Sequence, residues 1–193
     1  MPRPRVPNRR DRILDAAEEL VLAHGFDRMS IAAVAEHAGI GKGAVYLEFD
    51  GKRGILDALL QRGTARMNAR VRDELGDHPR LSSAYRASAR ALSEDALMTA
   101  AFLDDRGVLG DHVAAVEDGR YRDRQRRVVA WLHDLQNRGE IVADVDVDAL
   151  ALALSSASIG LLSAARLLGP VDPAHLERAI DTIGRMAETF ERS

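Results

Sequence analysis

The stretch Ser30 to Lys52, SIAAVAEHAGIGKGAVYLEFDGK, constrains the fold more than any other part of the 193-residue chain. Ile31, Val34, Ala35 and Ala38 recur at i, i+3, i+4 and i+7, which is one face of a helix. Ser30 stands just before that run, where its hydroxyl can accept a bond from a free first-turn amide. Gly39 stands where the helix must stop, and glycine tolerates the left-handed backbone used at such ends. Ile40 is suited to plug the corner and Gly41 to open a second helix. In that helix Ala44 and Val45 can face a core, which leaves Lys42, Gly43, Tyr46 and Leu47 outside. Phe49 anchors the exit, and Lys52 and Arg53 begin a further helix. Two short helices around a tight turn make the outline of a helix-turn-helix, a shape that can lay one helix in the major groove of DNA.

The same letters fit a looser pattern. Gly39-Ile-Gly41-Lys-Gly-Ala44 matches the G-x-G-x-x-G/A dinucleotide signature, which works only after a β-strand. Here the preceding AAVAEHA is alanine-rich and helical in period, and the G-x-x-x-x-G-K-[ST] phosphate loop is absent. The glycines therefore read as turn and close-approach residues.

Residues 9 to 60 resemble the DNA-binding domain of the tetracycline-repressor (TetR) family. The resemblance is carried by the helix RDRILDAAEELVLAHGF, Ser30-Ile31-Ala32, Ala35, Ala38-Gly39-Ile40, Lys42-Gly43, Tyr46, Phe49 and Lys52. It implies an all-α chain: a three-helix helix-turn-helix domain over residues 9–54, then a larger helical effector-binding and dimerisation domain over 55–193, about nine helices in total. Residues 1–8 read as a flexible basic arm, because Pro2, Pro4 and Pro7 block regular structure. The implied activity is a ligand-responsive repressor that binds a palindromic double-stranded operator as a homodimer. A helical dimeric module that binds small molecules or proteins through its second domain, with a weakened DNA head, is the alternative.

Chemistry and motif together assign the DNA surface. Tyr46 and Lys52 are expected on phosphates, the latter beside free amides of a helix start. Lys42 can reach a phosphate or a guanine edge, and an Ala44 methyl can touch a thymine methyl. Gly43 permits close approach, Leu47 offers apolar contact, and Ser30 belongs to the same surface. Arg3 and Arg5 of the arm are expected to reach a neighbouring minor groove, and Arg9 is expected on the DNA beside them. Glu48 and Asp50 depart from the family pattern, and acids so near phosphates repel unless they turn away or cap the next helix.

Charge supports a local interface, not a global one. The formal net charge is −3, with 27 basic residues of which only Lys42 and Lys52 are lysines. Positive charge gathers in the first twelve residues, where five arginines face only Asp11. There is no cysteine, which excludes disulfides, thiolate catalysis and cysteine-zinc sites. No unbroken apolar run reaches the roughly 18 residues of a membrane span, and MPRPRVPNRR lacks the apolar core of a secretory signal. The chain is expected in the cytoplasm, away from membranes. Its six histidines lack H-x-x-x-H spacing, and there is no G-x-S-x-G elbow. No enzyme, catalytic residue, cofactor or metal is expected.

Helical patterns fill the remainder. Asn8 can cap a first helix whose inner face is Ile13, Ala17, Leu20 and His24, with Ala16 and Val21 beside it, and Gly25 ends it. Further helices are expected over 52–75, 81–92, 96–103, 120–138 and 146–168, and from Asp172 or Pro173 to near the end. The region 107–119 reads as a short helix between loops. The helix over 149–168 is apolar on most faces and must be buried, and a small domain cannot surround it alone. Its small residues Ala153, Ala157, Gly160 and Ala164, with Ile180, Ile183 and Ala187 of the last helix, are expected at a four-helix dimer interface. Met67, Tyr85, Met98, Phe102, Tyr121 and Trp131 are large enough to line an effector pocket. The run Arg120 to Arg127 reads as a solvated face with Asp118 and Asp123 as partners.

Overall fold

The computed structural model describes residues 8–103, 105–110, 120–169 and 171–192. Ten helices lie among them: α1 (Arg9–His24), α2 (Ile31–His37), α3 (Lys42–Tyr46), α4 (Gly51–Leu75), α5 (Leu81–Ser93), α6 (Ala96–Phe102), α7 (Arg106–Leu109), α8 (Arg120–Asn137), α9 (Val147–Leu167) and α10 (Pro173–Glu188). The all-α expectation holds, with ten helices where about nine were anticipated. The sole β-pairing among the described residues is an isolated antiparallel bridge between Ile141 and Glu191.

The chain forms two compact units. One comprises residues 1–65 together with 96–115, the other 66–95 together with 116–193. A boundary at residue 54 would cut the continuous α4. The first unit instead keeps α4 as far as Ala65 and takes in α6 and α7 from the middle of the chain.

Within the first unit, helix ends follow local chemistry. Ser30 Oγ accepts from the Ala33 amide at 3.1 Å and starts α2. Gly39, at φ 64°, carries the left-handed turn toward α3. Asn8 does not act as expected, since it takes φ 55° and its side chain makes no cap bond. The buried face of α1 is Ile13, Leu14, Ala16, Ala17 and Val21. His24 is exposed and Leu20 only half-buried, so the inner stripe runs through Leu14 and not toward the helix end. Val34, Val45, Ile55, Leu56 and Leu59 are each fully buried and complete the apolar interior.

The loop after α1 meets the segment around α7. Gly25 has φ 80° and ψ 155°, a conformation nearly confined to glycine. A Cβ there would lie 2.5 Å from the Gly107 carbonyl oxygen. The Phe26 amide donates to Val108 O at 2.7 Å, and Leu109 is buried at 1% exposure.

In the second unit α10 packs on α5, α8 on α9, and α9 against both α5 and α10. One core joins Leu81, Leu132, Leu135, Ile141, Leu150 and Ala187, and a smaller one joins Tyr85, Ala89 and Ile180. Asp146 and Asp172 cap α9 and α10 by accepting from the Ala149 and Ala174 amides at 3.0 and 3.1 Å. Arginines of α5 bind α10: Arg86 reaches Glu188 at 2.7 Å, and Arg90 pairs with Glu177 and Asp181. The Glu177 carboxylate raises the Arg90 pKa above its ordinary value. Gly184 lets Arg86 lie across α10, because a Cβ there would run into its side chain.

Helix α9 is long and apolar, as its sequence implies. Residues Val147–Ala164 are, by length and composition alone, apolar enough to cross a membrane, although Asp148 breaks the apolar run. One side of the helix, with Leu150, Ala151 and Leu162, is buried, whereas Leu152 is 61% exposed.

Candidate nucleic-acid interface

Helix α3 has one inward and one outward side. Val45 is fully buried, and Ala44 is half-buried. Lys42 and Gly43 are exposed, and Tyr46 and Leu47 are exposed at 60% and 77%. A Cβ on Gly41 or Gly43 would meet nothing within 4 Å, so these glycines are not forced by packing within the chain. Two large side chains and a lysine thus stand on one short outer face. Folding alone gives no reason to leave Tyr46 and Leu47 in water.

The arginines at the start of α1 tie that helix to the reading pair. Arg9 Nε donates to Glu48 Oε1 at 2.8 Å. Arg10 Nη1 donates to the Glu48 carbonyl at 3.2 Å, and its guanidinium stands 4.4 Å from the centroid of the Phe49 ring. Arg12 Nη2 donates to Ala38 O at 2.5 Å. Glu48 therefore turns toward Arg9, which offsets its charge. Arg9 was expected to reach DNA, and in this state its guanidinium is occupied by that carboxylate. The clustered positive charge read from the first twelve residues is in part internal mortar. Arg3 and Arg5 lie outside the described residues.

Lys52 was assigned to a phosphate. Its Nζ lies 3.4 Å from Phe26 O and 3.3 Å from Asp27 O, and 4.6 Å from the Phe26 ring centroid. It thereby fastens the start of α4 to the loop after α1. Ser30 uses its hydroxyl oxygen as the α2 cap.

The second-unit expectations fare unevenly. Ala153 and Gly160 are exposed, and Ala157, Ala164 and Ile183 are half-buried. Ile180 and Ala187 are not on any outer face. They are 2% and 1% exposed and belong to the chain's own cores. The last helix turns them inward because α5 packs on that side. In their place Leu152, Leu167, Leu168 and Met186 are exposed at 61%, 82%, 82% and 61%.

Of the pocket candidates, Met98 and Phe102 fall in the first unit, and Met67, Tyr85 and Trp131 in the second. Met98 and Tyr85 are buried and Trp131 packs against the larger core. The Tyr121 side chain lies outside the described residues. A hollow of about 210 Å³, counted out to its mouth, opens between α5, α9 and α10. None of the six lines it, but Tyr85 belongs to the small core behind it. In the arginine run, Arg122, Arg126 and Arg127 are exposed, and Arg126 pairs with Asp123. Arg124 departs from the solvated face: burial, with Arg127 adding repulsion, lowers its pKa. Asp118 lies outside the described residues.

Comparison with known proteins agrees with this geometry. Residues 13–59 match the family described as "Bacterial regulatory proteins, tetR family". The chain is 26% identical over 158 residues to the HTH-type transcriptional regulator UidR of Escherichia coli (strain K12), covering 80% of each. It is 28% identical over 192 residues to the HTH-type transcriptional repressor ComR of the same organism, covering 94% of this chain and 88% of that protein. Among solved structures, the transcriptional regulator FadR from Bacillus subtilis in complex with stearoyl-CoA superposes with a TM-score of 0.71 at 15% identity. That match covers 92% of this chain and 97% of FadR.

Proposed function

Because the chain belongs to the TetR family of bacterial regulatory proteins, we propose that it binds a palindromic operator as a homodimer and is released by a small molecule. The carrying observation is the outer face of α3, where Tyr46 and Leu47 are exposed while Val45 anchors the helix from behind. On this reading Lys42, Gly43, Ala44, Tyr46 and Leu47 meet the major groove, with Arg3 and Arg5 in the adjoining minor groove. Lys52 serves first as a fastener and can lend its charge to a nearby phosphate.

The dimer uses the apolar residues that the single chain leaves in water. Leu152 and the small residues Ala153 and Gly160 on α9, with Met186 on α10, form the two-fold contact. A two-fold dimer places its two reading helices about 34–36 Å apart, or a multiple of that, when both engage one duplex face. The effector binds the second unit and favours a head spacing that no longer fits the operator. The FadR complex with stearoyl-CoA supports a ligand-binding role for this fold. The protein works in the cytoplasm and catalyses nothing.

Fluorescence anisotropy on fragments selected from the source genome tests the reading. Tight, sequence-selective binding that weakens steeply with salt is expected. Affinity that is weak, indifferent to sequence and unchanged in Tyr46→Ala and Lys42→Ala would sink it.

A further inference from the structure

We propose that Lys42 is a site of covalent acylation by a small activated acyl donor, and that acylation there loosens the reading head from DNA. The chemical part stands on the chain alone. The loss of DNA binding rests on the reading of α3 as the helix that meets the groove.

Of the 27 basic side chains only Lys42 and Lys52 are lysines. A lysine amine can be acylated, whereas an arginine guanidinium stays protonated and does not react in this way. All side-chain amine chemistry of the chain therefore falls in the reading head. The structure then separates the two lysines. Lys52 is half-buried. Its Nζ lies 3.4 and 3.3 Å from the Phe26 and Asp27 carbonyl oxygens and 4.6 Å from the centroid of the Phe26 ring. Attack needs a bare nitrogen lone pair, so Lys52 must leave both carbonyls and the ring before it can react. Lys42 is the first residue of α3 and is exposed. Its ammonium makes no hydrogen bond, ion pair or ring contact among the described residues. A Cβ on either flanking glycine, Gly41 or Gly43, would meet nothing within 4 Å, so the approach to Lys42 is open.

The step needs a donor and access. The Lys42 ammonium gives one proton to water, and the free amine attacks the acyl carbonyl carbon. A C–N bond forms, and the bond from that carbon to the leaving group breaks. The leaving group is phosphate from an acyl phosphate or thiol from a thioester. It keeps the bonding pair and takes the amine's second proton. The product is a neutral amide, so one positive charge is lost. Lys42 is the only charged residue of Lys42–Leu47, and α3 would then meet the duplex with no cation of its own. The first turn of α1 does not make up the loss. Arg9 is engaged by the Glu48 carboxylate, Arg10 by the Glu48 carbonyl and Arg12 by the Ala38 carbonyl.

The test incubates the full-length protein with acetyl phosphate or, in a second arm, acetyl coenzyme A, and maps the product by peptide mass spectrometry. Lys42 is expected to gain the acetyl group about tenfold faster than Lys52, the factor that one hydrogen bond and one cation–π contact impose. Anisotropy on the same samples, with a duplex selected from the source genome, should show affinity about tenfold weaker, as for one lost hydrogen bond from a charged group. The salt slope should become shallower by about one ion per head. Lys42→Arg removes the amine and keeps a charge. Whatever its starting affinity, treatment should not change it, which separates Lys42 from acylation elsewhere. Labelling of Lys42 by one donor alone assigns the donor class. No labelling of Lys42 by either donor, or Lys52 reacting as fast, would overturn the site. Lys42 fully acetylated with undiminished affinity would overturn its effect on DNA binding. An untreated protein that selects no duplex would instead sink the repressor reading, and the labelling ratio is read independently of it.

Discussion

Gly25→Ala should destabilise the first unit severely, for two reasons that can be separated. The first is backbone: φ 80° with ψ 155° lies in a region that costs a residue bearing a Cβ about 1–3 kcal/mol. The second is space. The new Cβ would stand 2.5 Å from the Gly107 carbonyl oxygen, well inside ordinary contact, and the obstacle is backbone with no rotamer to yield. Withdrawal of that carbonyl disturbs the adjacent Phe26 N–H···O Val108 bond at 2.7 Å. Leaving a buried amide unmet adds about 1–3 kcal/mol. Together these come to about 2–6 kcal/mol, which for a protein of this size corresponds to a fall in Tm of about 4–24 °C. Gly139→Ala is the control. It has φ 73° and nothing within 4 Å of its Cβ position, so it should show only a left-handed cost of about 1–2 kcal/mol. Both are measured by urea unfolding followed by circular dichroism. Equal losses in the two variants would refute the contact between the loop after α1 and the Gly107 segment as a source of stability.

Three further outcomes follow from other contacts. Glu48→Gln should cost about 1 kcal/mol of stability by weakening the half-buried pair with Arg9. It should also free that guanidinium for DNA, raising affinity and steepening the salt dependence by about one ion in anisotropy titrations; unchanged affinity would count against Arg9 lying near the duplex. Leu152→Glu should shift the protein to monomer in light scattering and weaken operator binding together with it; a dimer that persists would move the interface elsewhere. The raised Tyr85 pKa means that the folded state holds this proton above pH 10, where the unfolded chain releases it. Stability should therefore fall as pH climbs through 10, and Tyr85→Phe should remove that part of the alkaline loss; identical alkaline profiles would refute the buried phenol.

What was legible in the sequence is what neighbours along the chain decide. Ser30 caps α2 and Gly39 turns left-handed because both depend on residues within a few positions. The buried Val45 behind exposed Tyr46 and Leu47 follows from helical period alone. Less legible was what a distant partner decides. Arg9 and Lys52 were read as charges facing DNA, and each also meets an acceptor more than twenty residues away in the chain: Glu48 for one, the Phe26 and Asp27 carbonyls for the other. Ile180 and Ala187 share a stripe with Ile183, and period alone does not say which edge of a stripe faces α5. Tyr85 was visible as a large residue, but its burial beside Ser158 emerges only once the helices pack.

The pairing of Phe26 with Val108 also bears on how the protein is made. The first unit draws residues 96–115 from beyond α5. A ribosome that has released α1 to α4 has therefore not yet supplied all the parts of the reading head. Until Val108 emerges, the Phe26 amide lacks its carbonyl partner and the loop after α1 lacks its cover. Domains that complete themselves early can fold as they appear, whereas this head waits for the middle of its own message to be translated. A construction that joins residues 1–65 to another protein would omit that late strand of contacts. Grafting this head onto a foreign regulator therefore calls for the 96–115 segment to travel with it.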